Sequence, residues 1–209
     1  MKDTTIGQKV ESIHAQIKSH IGNIGRIGIA LYDKENDQLS TFVHSTDGKT
    51  PLEHYQARLA DVHSLQELHE GRQSRVIDDL SVLEGSPSEH TRRILAAGYR
   101  SSYTSPLYAS GQLLGFLFFD SPQPGYFHQQ INIQLDTYAQ LIAALISYDL
   151  TPSHALKGAV TMAREFSRHR DDETASHVQR VAYFTRTIAG ALAASHGLSD
   201  EDIEFLFQF

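Results

Sequence analysis

The chain contains no cysteine. That excludes disulfides, thiolate metal sites, thiol catalysis and thioether attachment of a chromophore. It also lacks any run near the roughly 18 apolar residues that a membrane span needs. Its opening residues, MKDTTIGQKVES, hold no apolar signal region, so the sequence predicts a cytoplasmic protein with no membrane span. Basic charge is scarce: 18 Lys and Arg stand against 25 Asp and Glu, a formal net charge of -7. Phosphate backbones require a concentrated basic surface, so nucleic acid is not the expected partner. The tightest basic dipeptide, Arg92-Arg93, reads as a solvated helix face. What is present is ordinary. The 209 residues are 40% hydrophobic and 21% charged, enough for one good core plus an extension. Twelve histidines are many for this length but most are scattered. His14, His54, His63, His69 and His90 read as solvent-facing helix residues.

Periodicity divides the chain. Ile6, Val10, Ile13, Ile17 and Ile24 predict an amphipathic helix over 4–21, ended by Gly22 to Gly25. RIGIALY (26–32) and Leu39 to His44 read as a hairpin around the turn Asp33 to Asp37. Tyr55, Leu59, Val62, Leu65 and Leu68 mark a second helix stopped by Gly71. RVID (75–78) is a short strand, 80–87 a loop, and 89–97 a helix ended by Gly98. Two strands follow, near 101–108 and 112–120, around an Ala-Ser-Gly turn. Phe127 begins a long helix to about Asp149. This order predicts an α+β fold: a central antiparallel sheet, with the terminal helices on one face and irregular segments on the other.

Past this point the pattern is all helical. Thr151 reads as a cap with Pro152 at the first helical position, opening a helix to about residue 170. A second helix carries Glu173 to about Ser195. Ser199 to Asp202 resembles a capping box before a third. The apolar stretch from Ile203 to Phe209 has little chain left to cover it and reads as the cut edge of a longer domain.

Two resemblances follow from these residues. Residues 1–150 resemble a GAF domain, a sensor fold close to PAS, through RVID at 75–78, GYRS at 98–101, SPL at 105–107, Gly111 with Gly115, and the Pro-Phe region before the long helix. Such a fold implies a small-molecule pocket between the sheet and its less regular face. Its candidate lining is Tyr32, Phe42, Arg75, Asp78, Tyr103, Ser105 and Phe118. In a strand Ser101, Tyr103, Ser105 and Leu107 share one face, and polar residues there suit a polar-lined cavity. The bland alternative makes Tyr103 a core aromatic with its hydroxyl satisfied at the rim. The ligand is unknown. No motif points to haem, and no nucleophile, base and oxyanion set points to an enzyme within this pocket.

Residues 151–209 resemble the opening of an HD-GYP phosphodiesterase domain. The run REFSRHRDDETASHVQRV (164–181) places Glu173 and His177 four residues apart, on one helix face, followed by Arg180 and Val181. In that family the histidine of HxxRV is a metal ligand, and members with an expanded metal centre carry a glutamate four residues earlier. The resemblance implies iron or manganese at Glu173 and His177, and hydrolysis of cyclic di-GMP, in a complete parent domain only. The residue-level alternative is an exposed i,i+4 pair. The His-Asp dyad and GYP signature are absent, so no catalytic residue and no cofactor are expected in these 209 residues themselves. Asp171 and Asp172 read as helix N-terminal charges. Arg164, Arg168, His169 and Arg170 read either as a phosphate-facing cluster or as a polar helix face.

The long helix also carries an oligomer signal. Ile131, Leu135, Tyr138, Ile142 and Leu145 form a heptad-like seam, and Ile133, Leu141, Ala144 and Ile146 add a second apolar side. The expectation is a homodimer through the terminal helices of the GAF-like unit, with the long helix as a lever to the segment behind it. The competing class is a ligand-free docking module.

Overall fold

A computed structural model describes residues 5–48, 51–85, 88–167 and 173–208. The sequence readings at Arg168, His169, Arg170, Asp171, Asp172 and Phe209 lie outside these residues. The chain divides into two compact units, Met1–Ile146 and Ser147–Phe209.

The first unit begins with α1 (Ile6–His20). Thr5 caps it through a reciprocal box: its hydroxyl accepts from the Gln8 amide, and the Gln8 side chain accepts from the Thr5 amide. Ile6, Val10, Ile13 and Ile17 form its buried stripe. Six strands follow: β1 (Arg26–Asp33), β2 (Gln38–Thr46), β3 (Gln56–Arg58), β4 (Arg75–Ile77), β5 (Ser101–Ala109) and β6 (Gln112–Ser121). They form one antiparallel sheet in the order β3-β2-β1-β6-β5-β4. The β5–β6 hairpin turns at Ser110 and Gly111, with φ of 50° and 79°; two positive angles in a row suit the right-handed twist of the strands it joins. Gly115 is a close approach, because a Cβ there would lie 1.9 Å from the Ala30 carbonyl oxygen of β1.

The two faces are covered differently. α1 packs on β1 and β2. The helix α4 (Gln129–Ser167) meets the same face: Tyr103 of β5 stacks on Phe127 and donates its hydroxyl to Asp136. Leu135, Ile142 and Ile146 of α4 are fully buried, as are Ile27, Leu117 and Phe119 of the sheet. The opposite face is roofed by short pieces: α2 (His63–Gly71), α3 (Glu89–Ala96), and 3-10 turns at Leu59–Asp61 and Leu80–Leu83. Under this roof lie two apolar clusters. One joins Leu39, Leu59, Leu65, Leu68, Phe116 and Phe118; the other joins Leu52, Leu80, Ile94 and Tyr99. The predicted α+β layering is the one observed.

Three local readings differ. The helix expected from Tyr55 starts only at His63, and 56–58 form an edge strand instead. Thr41 and Tyr55 exchange hydrogen bonds at 3.0 and 3.1 Å, and Gln56 to Arg58 then pair with Ser40 to Gln38. Satisfying the open edge of β2 outweighs the helical spacing of Tyr55, Leu59 and Val62. Pro152 does not open a new helix, because α4 runs through it to Ser167. Proline removes one helical hydrogen bond there, while the Thr151 hydroxyl bonds back to the Ser147 carbonyl at 2.6 Å. Finally, of the five histidines read as solvent-facing helix residues, only His63 is both helical and exposed: His54 lies outside any helix, and half-buried His69 stacks on Tyr108. His14 is buried, its Nε2 donating to the Ile24 carbonyl and its Nδ1 accepting from the Ser45 hydroxyl; burial lowers its pKa. His90 faces the sheet.

The second unit contains α5 (Glu173–His196) and α6 (Asp200–Gln208). The predicted box is present: Ser199 Oγ accepts from the Asp202 amide, and Asp202 accepts from the Ser199 amide. Ala189, Ala193 and Ile203 make its small core. Among the described residues, no helix is long and apolar enough to cross a membrane.

Candidate functional site

Antiparallel register fixes which side chains share the roofed face, since directly opposite residues point the same way. One row runs Arg75, Thr104, Phe118, Gly28 across β4, β5, β6 and β1; the next runs Ile77, Ser102, Asp120, Arg26. Two polar hydroxyls, two guanidinium groups and a carboxylate therefore meet on a face whose surroundings are the apolar clusters.

Arg26 and Asp120 form an ion pair through Nη1 and Oδ2, with only 3% and 2% of their side chains exposed. The pair needs Gly28. A Cβ at that position would lie 2.3 Å from Arg26 Nη2 and 2.6 Å from its Cζ, so the guanidinium lies across the bare glycine backbone. His90, in the first turn of α3, covers the pair. Its ring centroid is 5.8 Å from Phe118 below and 5.8 Å from Tyr55 at its edge. Burial, then the Arg26 charge, pull the His90 pKa down to about 4, with Asp120 opposing and Arg75 adding to the shift. The imidazole is therefore neutral at physiological pH. Half-buried Arg75 reaches the Ser64 carbonyl of α2 with Nη1 at 3.4 Å. Burial lowers its pKa, and the Glu67 charge opposes that. The Nε atoms of Arg26 and Arg75 are both buried without a hydrogen-bond partner. Tyr99 closes one edge, its hydroxyl bonding to Thr46 Oγ1 at 2.8 Å and to the Gly25 carbonyl at 3.2 Å.

Of the residues singled out from sequence, Tyr32, Arg75 and Phe118 stand on this face. Tyr32 sits at the edge of the first cluster and donates to Asp37 Oδ1 at 3.1 Å. Phe42 is buried where β2 slips register, between the partners of Ile29 and Ala30, and opposes no residue of β1. Asp78 is exposed, and its carbonyl accepts from the Gly125 amide at 2.7 Å. Tyr103 and Ser105 stand on the helix-covered face instead. Tyr103 bonds to Asp136, and that hydrogen bond, after burial, raises its pKa. Ser105 accepts from the Ser74 hydroxyl at 3.2 Å. Sequence reasoning missed Arg26, Gly28, His90 and Asp120. The strand RIGIALY did carry a signal, since an arginine two residues before a glycine in a buried strand places a charge beside a gap.

On α5, His177 and Arg180 are exposed. Glu173 opens the helix one turn earlier. A metal site needs three or four ligands. Among the described residues, no three histidine or carboxylate side chains converge, so no chemistry through a metal is derived for this chain.

No protein-family model matches the sequence. No curated protein matches it. Solved structures do match in three dimensions. The GAF domain of a two-component sensor histidine kinase from Bacillus halodurans aligns with a TM-score of 0.56 at 15% identity, over 68% of this chain and 93% of that one. The phycocyanobilin-bound GAF domain of a cyanobacterial phytochrome aligns with a TM-score of 0.55 at 13% identity, over 71% and 88%. A type II free methionine-R-sulfoxide reductase from Thermoplasma acidophilum aligns with a TM-score of 0.53 at 13% identity, over 68% and 92%. At such identities the likeness concerns the fold. The first unit of this chain has the GAF fold.

Proposed function

We propose that this chain is a bacterial signal-transduction sensor module. Its first unit takes a small ligand on the roofed face and regulates a C-terminal HD-GYP-type, metal-dependent cyclic di-GMP phosphodiesterase. The observation that carries the sensing half is the buried Arg26–Asp120 pair with half-buried His90 beside it, within an apolar roof. Charges are seldom fully buried even when paired, and convergent polar groups in an apolar setting mark ligand sites. Structures sharing the fold include a bilin-bound domain and a sensor-kinase domain. The enzyme half is supported by the run ETASHVQRV on α5; iron or manganese would need further ligands beside Glu173 and His177. Dimerisation belongs to the same reading. Ile133 and Leu141 are exposed on α4, and at eight residues apart they lie about 80° from each other, within one broad helix face, which a second copy of the helix would cover.

A thermal-shift screen of the whole chain against a mixed library of anionic, neutral and cationic metabolites tests the sensing half. The expected result is a set of hits that perturb NMR signals of His90 and Phe118. A library that yields no hit on this face, from a protein that still dimerises, leaves the docking module as the reading. The enzyme half is tested by the coding sequence beyond the Phe209 codon. A His-Asp dyad followed by Gly-Tyr-Pro supports it, and a stop codon or an unrelated domain ends it.

A further inference from the structure

We propose that the roofed face takes a small oxyanion, a free carboxylate or phosphate group, held by the guanidinium groups of Arg75 and Arg26 beside His90. The proposal rests on the reading of this face as a ligand site and adds the ligand's chemical class.

Hydrogen bonding argues for it first. Arg26 uses Nη1 on Asp120, but its Nε is buried with no acceptor. Arg75 makes one long bond, to the Ser64 carbonyl, and its Nε is likewise buried with no acceptor. A buried N–H left without an acceptor costs about 1–3 kcal/mol. Two such donors on one face of one sheet call for an acceptor from outside the chain.

Charge argues the same way. The face holds two guanidinium groups and one carboxylate, with a neutral imidazole packed over Phe118 on the same face. Glu67, the other acid that acts on Arg75, is exposed on α2. The half-buried charge of Arg75 is thus offset only by an exposed carboxylate, and an opposite charge brought to its buried side is worth more than one in water. A neutral ligand would supply acceptors and leave that charge. A cation would add to it. An oxyanion supplies both the acceptor and the charge, and its oxygens match the fork of a guanidinium. Thr104 and Ser102, in the rows between Arg75 and Arg26, add buried hydroxyls along the floor.

The test uses the whole chain, labelled with nitrogen-15, and follows arginine Nε–H signals while acetate, inorganic phosphate, neutral acetamide or ammonium chloride is added at constant ionic strength. Arg75→Lys and Arg26→Lys assign the two signals. The expected result is a saturable shift of both with acetate or with phosphate, and the stronger of the two names the acceptor group. In Arg75→Lys, which keeps the charge but loses the Nε donor, the same anion should bind about tenfold more weakly. Because Arg75 is half-buried and outside the ion pair, this variant keeps its fold, checked by its methyl spectrum. Shifts that grow linearly on every arginine, or a Kd unchanged in Arg75→Lys, overturn the proposal. A saturable response to acetamide with none to either anion also overturns it, while leaving the ligand-site reading intact. No response to any compound here or in the metabolite screen removes both.

Discussion

Burying the Arg26 guanidinium against Asp120 takes two charges out of water, and the geometry that makes this tolerable depends on an absent side chain. With Gly28 the guanidinium lies flat on β1; with any Cβ it must lift away, because the clash distance would be 2.3 Å. Lifting it breaks the pair and leaves Asp120 unpaired, a loss on the order of 3 kcal/mol for a buried ion. Gly28→Ala should therefore destabilise the protein by about 2–3 kcal/mol in urea unfolding. The same change made on an Arg26→Met, Asp120→Leu background should cost well under about 1 kcal/mol, since the coupling has gone. Equal costs in both backgrounds would mean that glycine acts through the backbone and not through Arg26. His90 gives a second handle. Its pKa is about 4 in the fold against 6.5 ordinarily. Between those values the unfolded chain binds a proton that the folded chain refuses, so stability rises with pH there and is lost as pH falls from about 6.5 to about 4. His14, also lowered by burial, acts in the same direction. The urea midpoint should fall steadily from pH 7 to pH 5, by an amount equivalent to on the order of 1 kcal/mol per pH unit. His90→Phe, which keeps a tilted ring contact with Phe118, should flatten much of that slope, and an unchanged slope would place the effect elsewhere. None of this was legible from the sequence as a site. A charge in a strand shows its partner only once register is known, and Arg26 and Asp120 lie 94 residues apart.

At the scale of elements, period and punctuation carried most of the information. Among the described residues, five of the six strands and the helices α1, α3, α5 and α6 fall where alternation, glycines and capping residues predict them, because those elements bury one face and are ended by local chemistry. The exceptions are places where a distant partner decided. β3 forms because β2 has an open edge, and α4 ignores Pro152 because helix-forming residues flank it on both sides. The predicted dimer seam shows the same limit. Ile131, Leu135 and Ile142 do form a stripe, but at 8%, 0% and 0% exposure the stripe packs within its own unit. The side left over is that of Ile133, 62% exposed, and Leu141, 46% exposed. Ile133→Glu with Leu141→Glu should therefore give a monomer by light scattering with little change in unfolding. Leu135→Glu with Ile142→Glu should unfold the protein, because each buries a carboxylate without a partner. A wild-type chain that is already monomeric at high concentration removes the dimer.

At the scale of the molecule the two units differ in how much apolar surface they hide. The first has a filled helix-side core and two clusters under its roof. Among the described residues, the second buries Ala189, Ala193, Ile203 and Phe207, with Val181, Phe184, Ile188, Leu192, Phe205 and Leu206 exposed at 41–63%. The first four of the exposed residues recur along α5 at spacings of three and four, so they form one continuous stripe of a kind that soluble proteins rarely leave open. Stability should accordingly reside in the first unit and self-association in the second. A chain ended after Leu150 retains every element of the sheet, α1, and the part of α4 that carries Leu135, Ile142 and Ile146. It should unfold cooperatively within a few degrees of the full chain, since a change of about 1 kcal/mol would move a domain of this size by roughly 2–8 °C. It should also stay soluble at concentrations where the full chain aggregates. Calorimetry and turbidity on the two chains decide it. If the shortened chain is unfolded or insoluble, residues beyond 150 belong to the core of the first unit, and the exposed stripe on α5 must be explained as the surface of one cooperative domain.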